Sequence, residues 1–278
     1  MSFRIEKYFS KRWSYPLLYV ILFLLNTVFP PYASKGYSWV ETGDVVYSLL
    51  RVSLKPYQHF APIFHVATVA LIFLIWKYGK RVSRIFSVYV GANYVFIALG
   101  QGIGTTEKYG WVILTGSVVS YLFIALLWLG ESFNPKIDTT FRKLPVIRYW
   151  MAPLALLAFW FPVKSVPSIG AFPDFNPLLL LTSWGYGFSF CMTTPVILCL
   201  LTLFYPNINK PLLKVYSFVG IIYGLWNMLS LFDPQTRWSG ILHFPLLLIS
   251  IYAFALLNIM KIKNSSIDHE IHPQIQEV

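Results

Sequence analysis

"GQGIGTTEKYGW", residues Gly100–Trp111, decides between two kinds of protein. Three glycines in five residues, followed by threonines and a lysine, fit either a loop that cradles phosphate or a turn between two helices. A phosphate loop needs G-x-x-x-x-G-K-[ST] after a strand and before a soluble helix. Here no lysine follows the glycines in register. Long apolar runs flank both ends, "SVYVGANYVFIAL" before and "VILTGSVVSYLFIALLW" after. The stretch therefore reads as a tight turn joining two apolar helices, with Tyr109 and Trp111 in the aromatic belt of a membrane.

Composition agrees with that reading. Hydrophobic residues make up 56% of the 278 and charged residues 12%, against about 25% charged in an ordinary soluble domain. The apolar residues fall in runs of about 17 to 25, the length needed to cross a hydrocarbon core of roughly 30 Å. The expected fold class is all-α, a polytopic transmembrane bundle of about eight spans, at 14–30, 59–77, 84–102, 110–130, 146–162, 177–205, 213–232 and 239–261. Pro153 and Pro195 are expected to kink the fifth and sixth. Residues 1–262 read as one integral membrane domain, and 263–278 as a short, polar, disordered tail. No small-residue cleavage site follows the first run, which is kept as a membrane helix.

The formal charge of +11 reads as topology and lipid chemistry, with no nucleic-acid partner. Of 22 lysines and arginines, sixteen fall on one side of the expected spans. Lys35, Arg51, Lys55, Lys108, Lys164 and Arg237 fall on the other. The excess of bases on the cytoplasmic side places both termini in the cytoplasm of a cell-membrane protein whose first partner is the bilayer. Cys191 and Cys199 share one helix about 12 Å apart, beyond disulfide reach.

Between the first two spans, Asp44, Ser48, Arg51 and Lys55 line one helical face, and Val45, Val46, Leu49, Leu50, Val52 and Leu54 the rest. That pattern predicts an exterior helix over about 43–55, capped by Thr42 or Asp44. It lies in the lipid interface or, alternatively, folds over the bundle as a lid. "RIFSVYVGANYVFIAL" (84–99) and "KVYSFVGIIYGLWNML" (214–229) open similar hairpins, which suggests internal duplication; compositional likeness is the alternative. "GIIYG" (220–224) permits close helix packing inside the bundle or at a dimer seam.

Charge is almost absent from the spans, so the usual proton-relay carboxylate is missing. Asn93 and Asn227 are the informative polar residues, because an amide in hydrocarbon requires a partner. They serve as interhelical glue or line a path for a solute. "SWGYGFSFCMTTP" (183–195) ends in Thr193, Thr194 and Pro195. This is a static kink, or else a hinge or unwound segment such as transporters use to bind solute.

His65 and His243 occupy similar depths near the outer ends of two spans, with Asp233 nearby in sequence pattern. Two axial histidines can hold a haem, and His65, His243 and Asp233 together can hold zinc or another divalent ion. Equally, each imidazole can be a simple hydrogen-bonding group. No nucleophile–base pair is visible. Three functions follow: a permease-like bundle for an uncharged or amphipathic small solute, a membrane enzyme or haem or metal protein with an outer site, or an accessory subunit. A cavity reaching Asn93 and Asn227 marks the first, and histidines at ligand distance mark the second.

Overall fold

The computed structural model describes residues 13–141, 146–166 and 170–271. Among these the chain is mostly helical, with two small antiparallel sheets that the all-α expectation did not include. Four helical stretches are long and apolar enough to cross a membrane: Trp39–Gly102, Thr115–Phe133, Lys210–Leu231 and Arg237–Leu257. Of the bases that set the expected orientation, Arg4, Lys7, Lys11, Arg12, Arg142 and Lys143 lie outside the described residues, as does the tail from 272.

In chain order, α1 (Ser14–Thr27) leads to a two-residue strand β1 (Tyr32–Ala33) and then to α2 (Thr42–Ser53). Next come α3 (Ala61–Tyr78) and α4 (Ser83–Gly102). The opening stretch is a hairpin, β2 (Ile103–Thr106) and β3 (Gly110–Ile113), which returns into α5 (Thr115–Phe133). After it come α6 (Met151–Trp160) and the strands β4 (Val163–Val166) and β5 (Gly170–Pro173). The remaining helices are α7 (Leu179–Thr182), α8 (Phe190–Phe204), α9 (Lys210–Met228), α10 (Arg237–Leu242) and α11 (Phe244–Ile271).

Three expected spans are not single uninterrupted α-helices. The run 146–162 is helical from Val146 to Trp160 but not uniformly so: a 3-10 turn, Val146–Trp150, feeds the ten residues of α6, which end where Phe161 turns left-handed at φ 44° and Pro162 follows. The 3-10 turn rises about 10 Å and α6 about 15 Å, a little short of a bilayer core of about 30 Å. The run 177–205 breaks into α7 and α8, and the interruption falls at 183–189, upstream of Pro195, through which α8 continues. The last run has a joint at His243, between α10 and α11, but Arg237–Leu257 remains one apolar stretch long enough to cross a membrane, and α11 continues through Lys263 to Ile271, where a disordered tail was expected.

Helix α8 is the axis of the bundle. All fifteen of its residues are buried, as expected for a helix that is apolar all round. It packs against α6, α9, α11 and α4. The most extensively packed helix pairs are the two hairpins read as related, α4 with α5 and α9 with α11. In the second, a Cβ on Gly220 or Gly224 would collide with Ser250 or Leu247 of α11. The G-x-x-x-G motif is thus an internal helix contact.

The end carrying β1, β2 and β3 is closed by a cap. The strands pair in the order β1-β3-β2, and α2 packs on β2 and α4. Val45 and Leu49 of α2 are fully buried with Tyr109, Val112 and Leu114. The apolar face of α2 is therefore covered by protein, which is the lid arrangement and not the lipid-resting one. Tyr109 belongs to the core of the cap instead of an aromatic belt. The helix start also differs: Ser38 and Glu41 form a reciprocal capping box around the 3-10 turn Trp39–Glu41, and α2 carries no side-chain cap of its own.

Lys108, in the β2–β3 turn, latches the sheet to α2. Its Nζ lies 3.0 Å from Glu41 and 2.9 Å from Asp44, and the Tyr109 hydroxyl donates to Asp44 at 2.6 Å. The Ser38 backbone N–H, then Lys108, holds the Glu41 carboxyl below its usual range. The Tyr109 hydroxyl, then Lys108, does the same for Asp44. Lowered carboxylate values stabilise the cap above the ordinary carboxylate range, about pH 4, and that contribution is lost as pH falls below it. A nitroxide on Ser48→Cys is expected to become mobile as pH drops from neutral to below that range. In Lys108→Ala it should already be mobile at neutral pH; unchanged spectra in both would rule the latch out.

The opposite end is fastened by a carboxylate. Glu131, buried at the end of α5, accepts from the backbone N–H groups of Lys136 and of Ile137 (2.7 Å), and from Asn209 Nδ2 at 2.7 Å. Asn209 caps α9 through Leu212 N at 3.1 Å. The Asp138 N–H donates to Asn207 O at 2.9 Å, so the links 133–138 and 205–210 meet in space.

Candidate functional site

A broken apolar helix leaves backbone N–H and C=O groups without partners, and in hydrocarbon each such group costs several kcal/mol. At 183–189 the neighbouring helices supply the partners. His65 Nε2 of α3 lies 3.1 Å from Ser183 O and 3.2 Å from Ser183 Oγ, and in the tautomer protonated there it donates to the carbonyl, which only accepts. Asn93 of α4 donates to Gly187 O at 2.7 Å. The Gly187 N–H donates to Thr193 Oγ1 at 3.0 Å, and the Phe190 N–H to Gln101 Oε1 at 3.0 Å. Ser189 donates from its own hydroxyl to Gly185 O at 2.9 Å.

Glycine makes the break. Gly187 holds φ +82, and a Cβ there would sit 2.5 Å from Phe64. A Cβ on Gly185 would sit 2.4 Å from the ring of Phe161. Tyr186, between them, is fully buried, and its hydroxyl pairs with Thr68 Oγ1 at 2.8 Å. Thr68 also meets the Tyr89 hydroxyl at 2.8 Å.

Two further clusters of hydroxyls and amides complete an uncharged belt across the bundle. Tyr94 pairs with both Thr194 and Tyr216. Tyr223 donates to Asn26 and meets the Ser117 hydroxyl, the donor of that pair, at 2.7 Å, while Asn26 donates to Ser120 at 2.8 Å. The belt links α1, α4, α5, α8 and α9 through uncharged groups. Among the described residues, Glu131 at the far end of α5 is the one buried charged side chain.

The expected site residues are distributed as follows. Asn93, Thr193 and Thr194 all lie at the break or just below it and are buried; Asn93 and Thr194 bond to other parts of the bundle, while Thr193 accepts from the Gly187 N–H of its own segment. Pro195 is buried in the second turn of α8. Asn227 stands apart from them, half-buried; its Nδ2 donates to Tyr223 O at 2.7 Å and lies 3.5 Å from Cys191 Sγ. Both cysteines are free and buried.

His65 belongs to the break. Its Nδ1 is buried without a partner, and its ring packs edge-on against Phe159. His243 donates from Nδ1 to Ser239 O at 2.6 Å, in the junction between α10 and α11. Asp233 is exposed and accepts from Gln235 N at 2.9 Å and Thr236 Oγ1 at 3.2 Å, closing its own turn. Among the described residues, no three His, Cys, Asp or Glu side chains gather into a group that could hold a metal ion. His65, His243 and Asp233 therefore do not make the three-ligand set.

Sequence reading missed Gln101, Thr68 and the tyrosines. One signal was available for the latter: Tyr94, Tyr216 and Tyr223 stand inside apolar runs, whereas belt tyrosines stand at run ends. A hydroxyl inside a run needs a partner there. No protein-family model matches the chain, and neither does any curated protein or solved structure.

Proposed function

We propose that the chain is a multi-pass integral membrane protein of about eight crossings, set in the cell membrane with both termini cytoplasmic. Within it, the bundle acts as a permease for an uncharged or amphipathic small solute. The observation that carries this reading is the break at 183–189: irregular backbone on the central helix line, held by Asn93, His65, Gln101 and Thr193. Irregular backbone at membrane depth survives only where protein buries it or water reaches it. Transporters use such interrupted helices to present backbone groups to solute. The uncharged belt around it suits a solute without charge, since an ion would need a charged partner.

An accessory subunit with a static kink is the competing reading, and thiol reactivity separates the two. In proteoliposomes, Trp184→Cys and Tyr186→Cys are expected to react with a small permeant thiol reagent, while the native Cys191 and Cys199 stay inert. If both introduced cysteines remain as inert as the native pair until the protein is denatured, the break is a static one and the permease reading fails.

A further inference from the structure

The tip of the cap is more apolar than a water-facing lid can tolerate. Val40 is 91% exposed and Trp39 63% exposed, side by side in the 3-10 turn that precedes α2. They are not loosely held. Ser38 N donates to Glu41 Oε2 at 3.0 Å, and Glu41 is tied to Lys108 at 3.0 Å, so the turn is clamped on both sides. Nor does α2 offer its own apolar face, because Val45 and Leu49 are sealed inside the cap.

Two further exposed rings stand on the same cap. Tyr32 of β1 and Trp111 of β3 touch edge to face, with centroids 6.1 Å apart. This patch continues an exposed apolar stripe on α1, where Leu17, Val20, Leu24 and Val28 recur at helical spacing and run on through Phe29. At its C-terminal end α2 exposes Arg51, stacked 4.2 Å over the Tyr47 ring, and Lys55 just after the helix is exposed as well. Exposed aromatic rings together with bases are the composition of a surface that sits among lipid headgroups.

We propose that the cap is seated in the headgroup layer of the bilayer through Trp39 and Val40, with Tyr32 and Trp111 continuing the contact and Arg51 and Lys55 facing lipid phosphate. The cap is thus a lid held from both sides, by the Lys108 latch within and by lipid without. This inference rests on the reading of the chain as a membrane protein. It differs from an interfacial α2 helix, because the turn before the helix makes the contact while the helix's apolar face stays in protein.

The test places a fluorophore on Val40→Cys, and separately on Phe73→Cys, which is exposed on α3. The full chain is reconstituted in vesicles of equal parts phosphatidylcholine and phosphatidylglycerol. The Val40 probe is expected to be quenched several-fold more by lipid carrying a nitroxide near the headgroup than by aqueous iodide. The Phe73 probe should be quenched best by a nitroxide deep in the acyl chain. If Phe73 behaves so while Val40 answers to iodide alone, the cap faces water and the proposal is overturned, with the membrane reading intact. If neither probe meets lipid, the membrane reading falls as well.

Discussion

Gly187→Ala is expected to remove a large part of the protein's stability. An L-residue held at φ +82 costs about 1–2 kcal/mol. The new methyl would also lie 2.5 Å from Cβ and Cγ of Phe64, and overpacking of that kind costs about 1–3 kcal/mol. Phe64 has little room to give way, since its ring lies 4.8 Å from Phe188 and 5.5 Å from Phe96. The combined loss, about 2–5 kcal/mol, is a large part of the roughly 5–15 kcal/mol that holds a domain together. The measurement is thermal unfolding in detergent, read together with the fraction recovered as a single species. Phe64→Ala introduced alongside should relieve the collision and leave the φ penalty, giving partial rescue. A wild-type melting temperature for the single variant would mean that the segment is not built as described.

Gly116→Ala is expected to be nearly as severe, for a different reason. Its Cβ would fall 1.9 Å from the carbonyl oxygen of Leu25, in the backbone of α1. A backbone oxygen cannot rotate away as a side chain can, so α1 must move off α5. That movement strips Asn26 from Ser120, now 2.8 Å apart, and from Tyr223. Interhelical hydrogen bonds in membranes are worth about 0.6–2 kcal/mol each, and the lost packing adds to them. Gly130, on the same helix, has nothing within 4 Å of its Cβ position. Gly130→Ala should therefore be neutral or stabilising, by up to about 1 kcal/mol, because alanine suits a helix better than glycine. Equal melting temperatures for the two alanine variants would contradict the close approach of α1 and α5.

Much of this architecture is legible in the sequence, and the failures have physical causes. Apolar runs locate the helices because burial in lipid or protein demands them equally. The same equality is why covering is not legible: α2 shows its apolar face plainly, yet nothing in Val45 or Leu49 says whether lipid or a β-sheet lies against it. The break in the sixth run was legible as an irregular stretch within 183–195, but not that it falls at the glycines instead of at Pro195. Pro195 removes one N–H and α8 absorbs it, whereas Gly185 and Gly187 open the chain where His65, Asn93 and Gln101 wait on other helices. Those partners lie some 90 to 120 positions away in the chain, 94 for Gly187 and Asn93. The amides and histidines were legible as groups that need partners. What each one bonds depends on which helix faces it, and that information is held in the packing.

The most direct test of the central claim is solute flux. Vesicles containing the protein are challenged with glycerol, erythritol, glucose or inositol, and their re-swelling is followed by light scattering. The account predicts that at least one uncharged solute enters faster than into protein-free vesicles. Tyr186→Phe, which loses the hydroxyl bonded to Thr68, and Thr193→Val, which frees the Gly187 N–H, should slow that entry several-fold while the protein stays folded. If folded wild-type protein speeds the entry of none of these solutes, the broken helix does not carry uncharged solute and the central claim is contradicted.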